Sequence, residues 1–240
     1  MTLLLEFEDI PLQRLRRRTL AGVLPSAIGQ EMALTLAVRS HETVVALGDE
    51  ASGVDSLGAL ALGLEDAPTG SVRVFGIDLA TIPRRERLAF RRRIGYLPAG
   101  DGLLHNLSLR DNIRLPLGFA SDQPPEAIEG RTDIILAQLH LPRVAELRPA
   151  QANEEERRRA ALGRAIALDP ELVVLEQPFD GLTEQVAAEL LEVARGGELP
   201  QGGRRAILIS AQDIPVLLRP RVERMVRVIN GQAISLSNRQ

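Results

Sequence analysis

Residues 44–64, VVALGDEASGVDSLGALALGL, join a short apolar run to an apolar helical pattern through Gly48 and Gly53, with four residues between the glycines. No other stretch limits the fold as strongly. A strand that ends in a Gly-x-x-x-x-Gly turn and passes straight into a helix belongs to an α/β sheet. Such a turn cradles phosphate when successive backbone N–H groups and a helix N-terminus converge on the oxygens, while a lysine and a hydroxyl-bound magnesium neutralise the charge. Here Val54 stands where the lysine belongs, Asp55 where the hydroxyl belongs, and Ser56 follows; Asp49 and Glu50 lie inside the turn. At about 4 Å and an effective dielectric near 20, one unit charge acts on another with ~4 kcal/mol, so exchanging attraction for repulsion would cost orders of magnitude in nucleotide affinity. Asp55 could ligate a cation directly or stay protonated, but neither restores the lysine. All 29 basic residues are arginine, so no lysine elsewhere can stand in.

The rest of the chain continues the alternation. Strands are expected at 3–8, 33–38, 43–47, 72–75, 94–97, 172–175, 206–210 and 222–229, and helices at 54–64, 84–93, 125–139, 154–167 and 184–194. This order predicts a mostly parallel sheet covered on both faces, with a small antiparallel layer formed by the N-terminal segments. The polar stretch 120–130, ASDQPPEAIEG, is too short for a linker, so 1–240 is read as one domain.

Net charge is −3 and the pI about 5.8, which gives no global field for nucleic acid or an anionic membrane. Aromatic residues are 2% of the chain, few platforms for stacking bases, so the arginine runs 16–18, 91–93 and 157–159 read as solvated or bridging faces. The absence of cysteine excludes disulfides and thiolate chemistry, and His41, His105 and His140 lack metal-ligand spacing. The longest apolar runs, such as 32–38, fall short of the ~18–20 residues needed to span a bilayer. Residues 1–18 place acids before arginines, the reverse of a secretory signal. A cytoplasmic chain is expected, reaching a membrane only through a partner.

From Val44 to about Ile234 the order of segments resembles the nucleotide-binding domain of ABC transporters. RRRIGYLPAGDGLLHNLSLRDNIRLPL is similar to the Q-loop and the permease-facing segment beyond it. LPRVAELRPAQANEEERRRAALGRAIALDPELVVLEQPFDGL resembles signature, helix, Walker B strand and D-loop in their usual order, and RRAILISAQDIPVLLRPRVERMVRVINGQAI the switch strand and its hairpin. The resemblance implies an α/β fold with a P-loop NTPase-like ABC ATPase core, an N-terminal antiparallel β layer, and a helical subdomain at about 97–165.

It also implies which residues stand at the family's functional positions. Ala99 replaces the metal-contacting glutamine, and Ala152, Asn153, Glu154, Glu155 and Glu156 replace the signature Leu-Ser-Gly-Gly-Gln. The Walker B pair reads Glu176 and Gln177, the D-loop aspartate Thr183 and the switch histidine Gln212. Glu176 could still hold magnesium, but Gln177 cannot accept a proton from an attacking water. Asn153 can cap its helix, and acids in the first turn suit the dipole while facing where a phosphate would lie. Tyr96 is far from the adenine-stacking position; Phe7 could stand in there, though it reads better as core. Leu103, Leu104 and Leu107 fall in the permease-docking region.

The resulting expectation is a pseudo-ATPase subunit, catalytically degenerate and without a resident cofactor. It would dock on an integral-membrane permease and form a homodimer or a heterodimer with another ATP-binding subunit, on the inner face of the membrane. Two alternatives stand beside it: a weak or non-standard ATPase energising ABC-type transport, with ATP and magnesium, and a soluble scaffold or sensor without a permease.

Overall fold

The computed structural model describes residues 2–12, 33–83, 85–120, 122–197, 203–229 and 231–236. Two sheets form the frame. The first is antiparallel, in the order β2–β1–β4–β5, from β1 (Leu3–Ile10), β2 (Leu34–Arg39), β4 (Ser71–Val74) and β5 (Ile77–Asp78). The second contains β3 (Thr43–Leu47), β6 (Ile94–Leu97), β7 (Leu172–Glu176), β8 (Ala206–Ala211), β9 (Arg224–Ile229) and β10 (Gln232–Leu236), in the order β10–β9–β3–β8–β7–β6. Its pairs are parallel except β10 with β9. All eight expected strands are present, and β5 and β10 complete the two hairpins.

Period-two alternation divides the parallel strands between two cores. Val44 and Ala46 of β3, Leu172 and Val174 of β7, and Ala206 and Leu208 of β8 pack toward Leu5, Phe7, Leu36 and Val38 of the antiparallel layer. Val45, Leu47, Val173, Leu175, Ile207 and Ile209 turn the other way, into the helices. Those helices are α3 (Leu109–Ala120), α4 (Pro125–Gln138), α5 (Glu154–Ile166) and α6 (Glu184–Arg195). Each fully buried side chain of this size contributes roughly 1.5–3 kcal/mol. A ligand at a hundred times its Kd adds about 2.7 kcal/mol, so strands buried on both faces hold the frame without one.

Three expectations on helices are corrected. The helix expected at 54–64 is one 3-10 turn, Val54–Ser56, followed by the short α1 (Leu57–Ala61), and a further 3-10 turn, Glu50–Ser52, precedes it. That expected at 84–93 is α2 (Arg87–Arg91). Helix α3 was not anticipated, because Pro116 inside it interrupts an otherwise helical pattern. Helices α3, α4 and α5 lie within or at the border of 97–165, and their buried residues join the cluster that covers one face of the parallel sheet. The arginines at 16–18 lie outside the described residues.

Candidate functional site

The loop between β3 and α1 folds back on itself. Gly53 adopts φ +79°, the left-handed turn that its lack of a Cβ permits. Asp49 caps the first 3-10 turn, its Oδ1 accepting from Ser52 N–H at 2.9 Å, and the Ser52 hydroxyl donates to the Asp49 carbonyl at 2.6 Å. Val54 N–H donates to Ser52 Oγ at 3.4 Å and Ser56 N–H to the Gly53 carbonyl at 3.0 Å. These donors point to the loop's own acceptors. The interior is filled as well: Ser52 and Val54 are 4% and 2% exposed. A carbon added to Gly48 would stand 2.2 Å from Ser52 Oγ and 2.8 Å from Val54 Cγ1. From outside, Leu12 at the end of the N-terminal layer presses on Gly53, where an added carbon would lie 2.9 Å from Leu12 Cβ. Asp55 is exposed and Ser56 half-buried. A recess of about 370 Å³ beside the loop is lined by Gly48, Asp49, Ser52, Gln212 and Arg227 among others.

At the end of β7, Glu176 is buried at 6% exposure. Its Oε2 accepts from Ala99 N–H at 3.2 Å, which joins the Q-loop and Walker B positions through Ala99's backbone alone. Its Oε1 faces Gly58 and Tyr96, where a carbon on Gly58 would lie 2.1 Å away, and finds no partner of acceptable hydrogen-bond geometry among the described residues. Burial raises the Glu176 pKa above the usual carboxylate value and the Asp55 charge raises it further, with the Tyr96 hydroxyl and Ala99 N–H opposing. The same burial and the same carboxylate push the Tyr96 phenol up.

Gln177 follows in a left-handed conformation, φ +46°, with its N–H on the Ser210 carbonyl at 2.8 Å. Its Oε1 accepts from the Gln212 backbone N–H at 3.4 Å, which brings together the two residues expected at the general-base and switch positions. Thr183 caps α6, accepting from Val186 N–H at 3.3 Å.

The signature position makes a complete helix start. Asn153 Oδ1 accepts from Glu156 N–H and Glu156 Oε2 from Asn153 N–H, each at 2.9 Å. This reciprocal pair satisfies two donors at the start of α5. Glu155 pairs with Arg159 at 2.8 Å, and Arg159 continues to Glu189 of α6 at 3.0 Å. Glu154 lies against Gly181, whose φ is +74°.

Of the three leucines assigned to docking, Leu104 is 43% exposed and Leu107 half-buried. Leu103 is a correction: at 4% exposure it belongs to the helical core and has no surface to offer. Phe7 is core, at 1%. Sequence reasoning missed Ser52, Leu12 and Tyr96, whose roles arise from tertiary approach; the one available signal was Ser52 inside the glycine turn, a residue that readily bonds its own backbone. Among the described residues, no three His, Cys, Asp or Glu side chains converge as a metal group.

The family model for ABC transporters matches residues 32–180. The lipoprotein-releasing system ATP-binding protein LolD of Colwellia psychrerythraea is 27% identical over 206 residues, 85% of this chain and 78% of that protein. LolD of Chromohalobacter salexigens is 33% identical over 165 residues, covering 68% and 69%. Among solved structures, a dimeric bacterial ABC transporter cassette matches with TM-score 0.79 at 19% identity, over 98% of this chain and 99% of that one. CbiO1 of Clostridium perfringens, part of the ABC transporter complex cbiONQ, matches with TM-score 0.74 at 16% identity, over 98% and 88%. With the family match running from the N-terminal layer through the glycine loop and α5 to the end of the β7 turn, the chain belongs to the ABC transporter family as an ATP-binding-type domain.

Proposed function

We propose that this chain is a catalytically degenerate ATP-binding subunit of an ABC transporter, which docks on a membrane permease and braces or regulates it with little or no ATP binding or hydrolysis. One observation carries the reading: the glycine loop is filled by its own Ser52 and Val54 and bonded to its own acceptors. The residues do not fit a nucleotide held in the family's manner. No ammonium stands at Val54, Ala99 brings no side-chain ligand, Gln177 is no base, and Glu154–Glu156 put acids at the signature helix. The subunit would work as a homodimer or with another ATP-binding subunit, and the similarity to a dimeric bacterial cassette supports dimerisation. No helix among the described residues is long and apolar enough to cross a membrane, so a place on its inner face would come through the permease.

Titration calorimetry with magnesium–ATP on the purified chain tests this. No heat at millimolar nucleotide is expected; micromolar affinity would sink it. A second reading, a weak ATPase, is favoured by Glu176, a buried carboxyl at the position that the resemblance gives to a magnesium ligand. It requires that any nucleotide binding depend on magnesium and vanish in Glu176→Gln. Isolation of the chain with a permease from solubilised membranes would exclude the soluble-scaffold alternative.

A further inference from the structure

The segment that leaves β6 is tied down residue by residue. Ala99 N–H donates to Glu176 Oε2 at 3.2 Å, and the Gly100 carbonyl accepts from Arg158. The Asp101 carboxylate accepts from Arg157 Nε at 3.1 Å through Oδ2 and from Leu103 N–H at 3.0 Å through Oδ1. Arg164 donates to the carbonyls of Gly102 at 2.7 Å and Asp101 at 3.4 Å. Asn112, fully buried on α3, exchanges two bonds with the Leu104 backbone, at 2.8 and 3.1 Å. Six consecutive residues, 99–104, therefore each carry at least one bond involving a side chain. Gly100 and Gly102 take φ +82° and +59°, which lets carbonyls turn toward α5 where a side chain would resist.

Three of the anchors, Arg157, Arg158 and Arg164, lie on α5, the helix that Asn153 caps. Arg158 is buried at 6% exposure; desolvation lowers its pKa, and the charges of Asp180, Glu154 and Asp101 around it offset only part of that cost. Arginine suits this work because a planar fork reaches carbonyls and a carboxylate together.

From these contacts we infer that α5, α3 and Glu176 of β7 hold segment 99–104 in one conformation independently of any nucleotide, and thereby fix the exposed Leu104 in place. The inference rests on the permease-docking reading for its use, but the tether itself is a property of this chain alone.

Amide hydrogen exchange on the full chain tests it, read at Ala99, Leu103 and Leu104 against β7 as an internal standard. Slow exchange at all three, unchanged by millimolar magnesium–ATP, is the expected result. Asp101→Ala, which removes the acceptor, should speed Leu103 about tenfold and leave β7 alone. Arg157→Gln, which removes a partly exposed side chain, is the second variant and should loosen the same amides to a smaller extent. Exchange at the rate of an unstructured peptide in the wild type, or protection that arises only with nucleotide, overturns the tether. Calorimetry on the same sample keeps the two readings apart: magnesium–ATP heat with unchanged exchange retains the tether and removes the degenerate-pocket reading.

Discussion

The two helix starts that the resemblance assigns to phosphate are both closed on themselves, yet they differ in what lies beside them. At Asn153 the start of α5 is a closed circuit, with a reciprocal cap and an ion pair leading through Arg159 to α6. At Gly48–Ser56 the loop has also closed, but beside it the Glu176 carboxyl is buried and its pKa is raised by desolvation. The difference teaches that charge at the protein surface can be absorbed into helix capping, whereas a carboxyl in the core stays a cost unless its site is rebuilt.

The largest effect should come from trying to restore the lysine. Val54→Lys is expected to lower stability by about 3 kcal/mol, since a long charged chain must enter space now packed by Gly48 and Ser52. An unchanged urea midpoint would mean that the side chain swings free and that the loop is open after all.

Glu176→Gln should act in the other direction, stabilising by about 1 kcal/mol at pH above the raised carboxyl value. The sign follows from burial, which raises the carboxyl's folded-state pKa above the unfolded one, with Asp55 adding to it. The folded state then holds a proton that the unfolded state has released. Stability falls as pH climbs from the ordinary carboxylate range to the raised value, and is level beyond it. The variant should lose this decline and match the wild type near the ordinary carboxylate pKa. Denaturation midpoints across that window provide the measurement, and a wild-type profile no steeper than the variant's would show the carboxyl to be well solvated.

At the other helix start, Asn153→Ala removes a satisfied cap and should cost about 1 kcal/mol, a Tm decrease of about 2–4 °C for a domain of this size. Equal Tm values would place the stability of α5 in its packing alone. Smallest of all, Asp55→Ser at an exposed position should change stability by no more than ~0.5 kcal/mol. A larger gain would show that Asp55 strains Glu176 more than its exposure suggests.

The contrast also explains what was legible in the order of residues. Strands β3, β7 and β8 are continuous apolar runs, since both faces are buried, and that signal survives without neighbours. The Asn153 cap was readable because its partner is three residues away. Leu103 was not, since apolar character is the same in a core and on a docking face, and only α3 and its neighbours decide. Helix α3 itself was hidden by Pro116. The filling of the loop by Ser52 and its covering by Leu12 depend on chain segments meeting in space, for which no local period exists.

The contact of Leu12 with Gly53 has a consequence for how the molecule comes apart. Leu12 is fully buried at the end of the antiparallel layer, and Gly53 belongs to the loop that leaves the central parallel strand. Peeling the first sheet from the second would uncover this loop together with the shared core of Leu5, Phe7, Val44 and Leu172. The two sheets should therefore melt in one cooperative transition, with the glycine turn acting as the rivet between them.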